Sequence, residues 1–177
     1  TEDIEKAESA LRANKKVATT DYRIATRLPQ IEVVIDATGS TEMGAVVSLD
    51  CFDQRKHIVM MNVECDVTIG AVLRQMSENA GIVYSLAAGD EPAAIIELYR
   101  FAHALGFTVV AAGKGKNNPL DIHATPETVA GRARERRMNP QMLCEFVDGS
   151  KTAVEMAAVS NATGMVPDVR GMHGAKS

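Results

Sequence analysis

Several features that define common function classes are missing from this sequence. It has no tryptophan and only 4% aromatic residues, which argues against a surface on which nucleic-acid bases stack. Its formal net charge of −4 provides no positive field that would attract nucleic acid or an anionic membrane. The three cysteines form no CxxC pair and no histidine stands at zinc-binding spacing, so we predict reduced thiols and no metal site.

Long apolar segments are also missing. No run is long enough to cross a bilayer, and the first residues do not form a signal-peptide pattern. We therefore expect a cytoplasmic protein that has neither a membrane nor a nucleic acid as its partner. The 46% of apolar residues is enough to build a globular core.

The first two thirds of the sequence alternate short apolar segments with amphipathic helical patterns. Such apolar strands, separated by helices, are typical of a parallel sheet covered on both faces. We predict a doubly wound, Rossmann-like α/β domain over residues 1–113. Its predicted helices cover residues 1–14, 22–27, 41–52, 66–79 and 91–105, and its predicted strands cover residues 17–19, 31–36, 57–62, 82–87 and 107–112.

The pattern changes after Gly113. Pro126, Pro140 and Ser150 stand at the starts of three predicted helices, and no further strand is indicated. We predict that residues 114–177 form a helical region that binds the substrate. Because this region has more apolar residues than one layer of helices would bury, it is also a candidate homodimer interface, through Met138, Met142, Leu143, Met156 and Val159.

The Rossmann-like prediction lacks one expected motif. A dinucleotide-binding domain normally begins with a strand and a glycine-rich GxGxxG turn, and this sequence contains no such turn. It begins instead with the helical pattern TEDIEKAESALRAN. We expect the first strand–helix–strand unit to lie upstream of Thr1, and we expect this chain alone to be inactive.

The segment GKGKNNPLD is the most unusual in the sequence. It follows a predicted buried strand, and it places Lys114, Lys116, Asn117, Asn118 and Asp121 within eight positions. Lysine and asparagine side chains at the carboxyl end of a strand suit a phosphate, a carboxylate or a developing oxyanion. The alternative is a basic loop that is simply solvated.

Two other strand ends carry small or polar residues. Ala37, Thr38, Gly39 and Ser40 form a turn before a predicted helix, where a ligand can approach the backbone, although tight βα turns of this kind are common. After the next strand, Asn62 and Glu64 are candidates for ligand contacts. The alternative is that Asp66 is only the cap of the next helix and that Glu64 is a solvated loop acid.

A third candidate lies in the segment EFVDGSKTAVE. Asp148 and Lys151 are three positions apart, and a lysine in the first turn of a helix opposes the helix dipole. Either an ion pair with Asp148 or Glu155 explains this placement, or proton transfer to a substrate does. Both interpretations remain open from the residues alone.

Two stretches carry a family resemblance. The run VVIDATGSTEMGA with KHIVMMN resembles the cofactor domain of homoserine dehydrogenases. The segments AAGKGKNNPLDIHATP and DGSKTAVEMAAVSNATGMVPD resemble a related group of oxidoreductases, often with a SAF domain, that includes the deoxyxylulose phosphate reductoisomerase-like enzymes. Homoserine dehydrogenases usually have a lysine after the asparagine, where Val63 stands here, and this difference favours the second group.

The resemblance implies an NADP-dependent oxidoreductase, with NAD as the alternative cofactor and divalent-metal dependence left open. It implies a small phosphorylated substrate such as deoxyxylulose phosphate, used in isoprenoid precursor synthesis. Residues 37–40 would lie along the cofactor, with Asn62 and Glu64 near its nicotinamide. The residues implied as catalytic are Lys114, Lys116, Asp148 and Lys151, and those implied to bind the substrate are Asn117, Asn118 and Asp121.

Two other hypotheses remain beside this one. The first is a homoserine dehydrogenase-like reductase of another small hydroxy or aldehyde compound. The second is a nucleotide-fold module that binds a metabolite without turnover. A catalytic role requires Lys151 to share a cleft with the GKGKNN loop, whereas a binding role requires the loop alone.

Overall fold

The computed structural model describes residues 1–115 and 118–173. The chain forms two compact units, Thr1–Ala88 and Gly89–Ser177. The domain boundary expected between residues 113 and 114 lies inside the second unit. Within the described ranges, no helix is long and apolar enough to span a membrane.

The first unit combines a small parallel sheet with four helices. The helices are α1 (Ile4–Arg12), α2 (Tyr22–Arg27), α3 (Thr41–Asp53) and α4 (Val63–Ala80). The strands are β1 (Val33–Asp36), β2 (His57–Met60) and β3 (Tyr84–Leu86), which pair in the order β1-β2-β3. The predicted mixed α/β class and parallel sheet are confirmed.

One face of this sheet forms the core with α3 and α4. The cluster includes Ile58 and Met60 from β2, Cys51 and Phe52 from α3, and Leu73 from α4. The strands run in sequence order, so right-handed crossovers place both connecting helices on the same face. The expectation that helices cover both faces is not met for β1, because Val33 and Ile35 on its other face are exposed.

The second unit is helical. It contains α5 (Glu91–Ala104), α6 (Pro126–Glu135), α7 (Pro140–Asp148) and α8 (Ser150–Thr163). Val129, Leu143 and Val147 are at the centre of its apolar cluster, which joins α6 to α7. Helix α5, which the sequence assigned to the sheet domain, packs against α8.

Two predicted strands are wrong. Residues 17–19 form an irregular segment in which Val17 packs against the apolar cluster of α1 and α2. Residues 107–112 also lie outside any strand, and Phe107 and Val110 are exposed. An apolar run becomes a strand only when a neighbouring strand accepts its hydrogen bonds, and the Phe107 N–H instead donates to the Ala102 carbonyl at the end of α5.

Candidate functional site

A cavity of about 350 Å³ lies in the second unit and brings together charged and polar side chains. Helix α5 contributes its first residue and the residue before it, α8 contributes residues from its first two turns, and the segment before α6 contributes Lys114, Gly115 and Asn118. Phe146 from α7 forms an apolar part of the wall. The other lining residues are Asp90, Glu91, Lys114, Gly115, Asn118, Lys151, Thr152 and Glu155.

The local sequence explains how the two helices present these groups. Asp90 is the N-cap residue of α5. Pro92 suits the first turn, because its ring fixes a helical φ and because it has no N–H that would lack a partner there. In α8, Lys151 and Glu155 are four residues apart and therefore lie on one face. Gly149 precedes α8 with φ of 90°, a conformation that glycine adopts without strain.

Lys114 is held by two carboxylates. Its ammonium group pairs with Glu155 and lies 3.0 Å from Glu91 Oε1. Glu155 is only 2% exposed, so its charge would be costly without this partner. Burial by itself favours loss of the lysine proton, but the hydrogen bonds to Glu155 and Glu91 outweigh it and raise the pKa of Lys114. Lys114 therefore keeps its proton and its positive charge in this site.

The pKa values of the neighbouring acids Asp90 and Glu91 are shifted in opposite directions. Burial raises the pKa of Asp90, and its hydrogen bond to the Glu91 carboxyl group raises it further. The hydrogen bond from Lys114 lowers the pKa of Glu91. Adjacent carboxyl groups whose pKa values are separated by their surroundings can serve as an acid and a base in one site. The positive charge of Lys151 acts on Asp90 in the opposite sense to burial.

The same acids are the candidate metal ligands of the described chain. Oxygen atoms of Asp90, Glu91 and Glu155 lie within 4.8 Å of one another. The Lys114 ammonium group already provides a positive charge to Glu91 and Glu155. Lys114 can therefore balance part of the negative charge of these acids without a metal ion.

Three of the predicted site residues come together in this cavity, namely Lys114, Asn118 and Lys151. Asp148 and Asp121 are not among its lining residues. The Asp148 carboxylate accepts a hydrogen bond of 2.7 Å from the Ser150 N–H, at the start of α8. The Asp121 carboxylate accepts one of 3.1 Å from the His123 N–H. The predictions for Lys116 and Asn117 fall outside the described residues.

The predicted cofactor residues lie in the first unit. Ala37, Thr38 and Gly39 form an exposed turn after β1, and Ser40 is the N-cap of α3. Asn62 is the N-cap of α4 and is 1% exposed, whereas Glu64 in the first turn of that helix is half-buried. These residues gather at the carboxyl ends of β1 and β2, where open parallel sheets bind ligands.

Residues 89–177, the second half of the chain, match the family described as "Oxidoreductase DRL, catalytic domain". This chain belongs to the DRL oxidoreductase family. The match begins at the first residue of the second unit, which holds the cavity. A comparison with curated proteins gave no match.

Sequence reasoning gave too little weight to three acids of this DRL cavity. Asp90 and Glu91 resemble ordinary acids at a helix start, which the helix dipole explains without any function. Glu155 resembles a simple ion-pair partner for Lys151. The available signal was the pair Lys151 and Glu155 on one helical face, but the convergence with Lys114 depends on the packing of α5 against α8.

Most of the apolar residues that were predicted to form a dimer interface pack within the second unit itself. Leu143, Met156 and Val159 are buried there, and Met138 packs against the α6–α7 cluster. Of the five residues named for that surface, Met142 has the greatest exposure, at 49%.

Proposed function

We propose that this protein is an NADP-dependent oxidoreductase that carries out a reductoisomerase-like reaction on a small phosphorylated polyol such as deoxyxylulose phosphate. The observation that supports this is the cavity of the DRL catalytic domain, where two lysines, one amide and three carboxyl groups converge. These groups can orient a hydroxylated substrate and move a proton. The product would be a precursor for isoprenoid synthesis.

The charges of the cavity favour the hydroxyl and carbonyl part of such a substrate. Three carboxyl groups face two ammonium groups, so the site offers no large positive excess for a phosphate. Substrate hydroxyls can donate to the carboxylates of Glu91 and Glu155 and accept from Lys114 or from the Asn118 amide. For the phosphate, we retain the sequence-based proposal of Lys116 and Asn117.

Lys151 is the proposed proton donor to the carbonyl oxygen as that oxygen gains negative charge. Its ammonium group lines the cavity close enough to Asp90 for their charges to interact. Asp90, with its raised pKa, holds a proton more readily than an ordinary aspartate and can return one to the Lys151 amine. Lys114, held by two carboxylates, keeps its charge and polarises the same oxygen.

The first unit is proposed to belong to a Rossmann-like cofactor domain. Its parallel sheet ends in an exposed turn of small residues, and a Cβ atom added at Gly39 would meet no atom within 4 Å. This open surface fits a flat nucleotide ligand, with Ala37, Thr38, Gly39 and Ser40 beside it. NADP in its reduced form, when bound, supplies the hydride for the carbonyl carbon.

The test is NADPH oxidation by the full-length protein with deoxyxylulose phosphate, followed by absorbance, with NADH compared in parallel. Lys151→Met removes the proton donor and should lower kcat by about 10²–10⁴-fold, the usual contribution of general acid catalysis. Lys16→Met is the matched control, because Lys16 is exposed in the first unit, and it should leave kcat unchanged.

Two outcomes would count against the proposal. Equal kcat values for Lys151→Met and the wild type would exclude Lys151 as the proton donor. Tight NADPH binding without oxidation, across several phosphorylated and unphosphorylated hydroxy-carbonyl compounds, would favour the alternative of a metabolite-binding module. We also propose a homodimer, which sedimentation velocity would test.

A further inference from the structure

A buried amide connects the ends of two strands in the first unit. Asn62, which is 1% exposed, donates through Nδ2 to the Ser40 carbonyl at 2.8 Å, to Asp36 Oδ2 at 3.1 Å and to Thr38 Oγ1 at 3.2 Å. Its Oδ1 accepts a hydrogen bond of 3.2 Å from the Cys65 N–H and caps α4. The side chain is therefore used on both its donor and its acceptor side, within the protein.

The partner of this amide is a buried carboxylate. Asp36 is 2% exposed at the end of β1. Its Oδ1 accepts from the Thr38 N–H at 2.9 Å, and its Oδ2 accepts from Asn62. A buried carboxylate needs hydrogen-bond donors, and here they come from the turn itself and from Asn62, the cap of α4. Asp36 begins the turn DATGS that the sequence indicated as a candidate, but no site role was predicted for it.

Helix α3 packs directly onto this pair. A Cβ atom at Gly44 would lie 2.7 Å from Asn62 Nδ2, 2.8 Å from Asp36 Oδ2 and 2.8 Å from Cys65 Sγ. The contact leaves no room for a side chain, so the helix, the amide and the carboxylate fix one another. The exposed turn Ala37, Thr38 and Gly39 is joined to this pair through Thr38, whose N–H donates to Asp36 and whose hydroxyl accepts from Asn62.

We propose that Asn62 and Asp36 are positioning residues, which hold the turn 37–40 in the shape that receives the cofactor, and that Asn62 does not contact the cofactor itself. This replaces the sequence-based expectation that Asn62 lies against the nicotinamide. The role in cofactor binding rests on the proposed function. The role in shaping the turn does not.

The test uses Asn62→Asp in the full-length protein. An aspartate keeps the oxygen that caps α4 but loses the donors to Asp36, Thr38 and Ser40, and it places a second carboxyl group against Asp36. The attraction that connects α4 to the turn is therefore replaced by repulsion, while the cap of α4 is kept. The matched control is Asn139→Asp in the second unit. Asn139 is an exposed N-cap whose Oδ1 accepts from the Gln141 N–H at 2.8 Å, and that acceptor is kept.

Hydrogen exchange of the peptide that spans residues 36–44 is the first readout. Loss of a buried hydrogen-bond network of this size should speed exchange in that peptide by about tenfold or more in Asn62→Asp. The peptide around residue 139 should be unchanged in the control. NADPH affinity is the second readout, and it should fall in parallel with the faster exchange.

A double variant that swaps the two side chains keeps the proposal testable if Asn62→Asp alone does not fold. Asp36→Asn removes the buried charge, and Asp36→Asn combined with Asn62→Asp restores an amide opposite a carboxylate. We expect the combined variant to exchange more slowly than Asn62→Asp, or to fold where Asn62→Asp does not.

Three results separate the possible failures. Wild-type exchange rates at residues 36–44 in Asn62→Asp, or no recovery in the combined variant, would overturn the positioning role. Faster exchange with unchanged NADPH affinity would overturn the link to cofactor binding. If the wild type binds no NADPH, the proposed function fails, and a loosened turn in Asn62→Asp would still support the structural role.

Discussion

Gly44→Ala should destabilise the first unit, although alanine is normally the better residue inside a helix. Gly44 lies within α3, at the point where the helix contacts Asn62, Asp36 and Cys65. The added methyl group would lie 2.7–2.8 Å from an atom of each, closer than side-chain carbon atoms approach such groups. Two of these neighbours are buried hydrogen-bonding groups, so they cannot move without breaking their own contacts.

The magnitude follows from two opposing contributions. Replacement of glycine by alanine inside a helix normally gains about 1 kcal/mol. Forcing a methyl group into a filled core costs about 1–3 kcal/mol, and loosening a buried hydrogen bond costs about 1–3 kcal/mol more. We therefore expect a net loss of about 1–5 kcal/mol, centred near 3 kcal/mol, in the free energy of unfolding of the first unit.

The assay is urea unfolding followed by circular dichroism, with hydrogen exchange to assign the change to the first unit. Gly131→Ala in α6 is the matched control, because a Cβ atom at Gly131 would meet nothing within 4 Å. This control should stabilise the second unit by about 0.5–1 kcal/mol. Equal or greater stability of Gly44→Ala would refute the argument that α3 is packed against the Asn62–Asp36 pair.

Two further predictions concern buried charges. Lys114→Met leaves the Glu155 carboxylate buried without its ammonium partner and should cost about 3 kcal/mol in denaturant unfolding, most of which Lys114→Met combined with Glu155→Leu should recover. An equal loss in the combined variant would contradict this. For Asp66, burial raises the pKa despite a 2.8 Å hydrogen bond from the Tyr84 hydroxyl, so its contribution to stability is greatest below the unfolded-state pKa and falls as pH rises through the folded-state pKa. Asp66→Asn keeps the acceptor for Tyr84 and should raise Tm at pH 7 but not at about pH 3, and a lower Tm at pH 7 would exclude this reasoning.

The regular elements of the fold were largely predictable because their signals are local. Asp90 with Pro92, and Thr125 with Pro126, stand at helix starts that the structure shows. Helix α4 begins at Val63, three residues before the predicted start, because Asn62 rather than Asp66 is its cap. The error at residues 107–112 has a different origin, since a strand also needs a partner, and its sequence does not show whether a partner is present.

Some residues of the candidate sites could likewise be predicted from local sequence, and others could not. Lys114, Asn118 and Lys151 could be singled out because of local patterns. Lys114 and Asn118 belong to a cluster of long polar side chains directly after an apolar segment, and Lys151 opposes the helix dipole in the first turn of its helix. Asp36 could not be assigned a site role, because an aspartate at the end of a strand, before a turn, is common. Its burial, and its bond to an amide 26 residues later, exist only in the folded chain.

The sequence by itself determined the helices, the three strands that pair, the change to a helical region in the second half, and the lysine-rich segment. All of these depend on side-chain periodicity, caps and composition, which act over a few residues. Only the tertiary structure decided that Asp90, Glu91 and Glu155 join Lys114 and Lys151 in one cavity, and that Asn62 is buried beneath the turn 37–40. Those outcomes depend on which helix faces meet, because the pKa of a carboxyl group and the accessibility of an amide are set by neighbours distant in sequence.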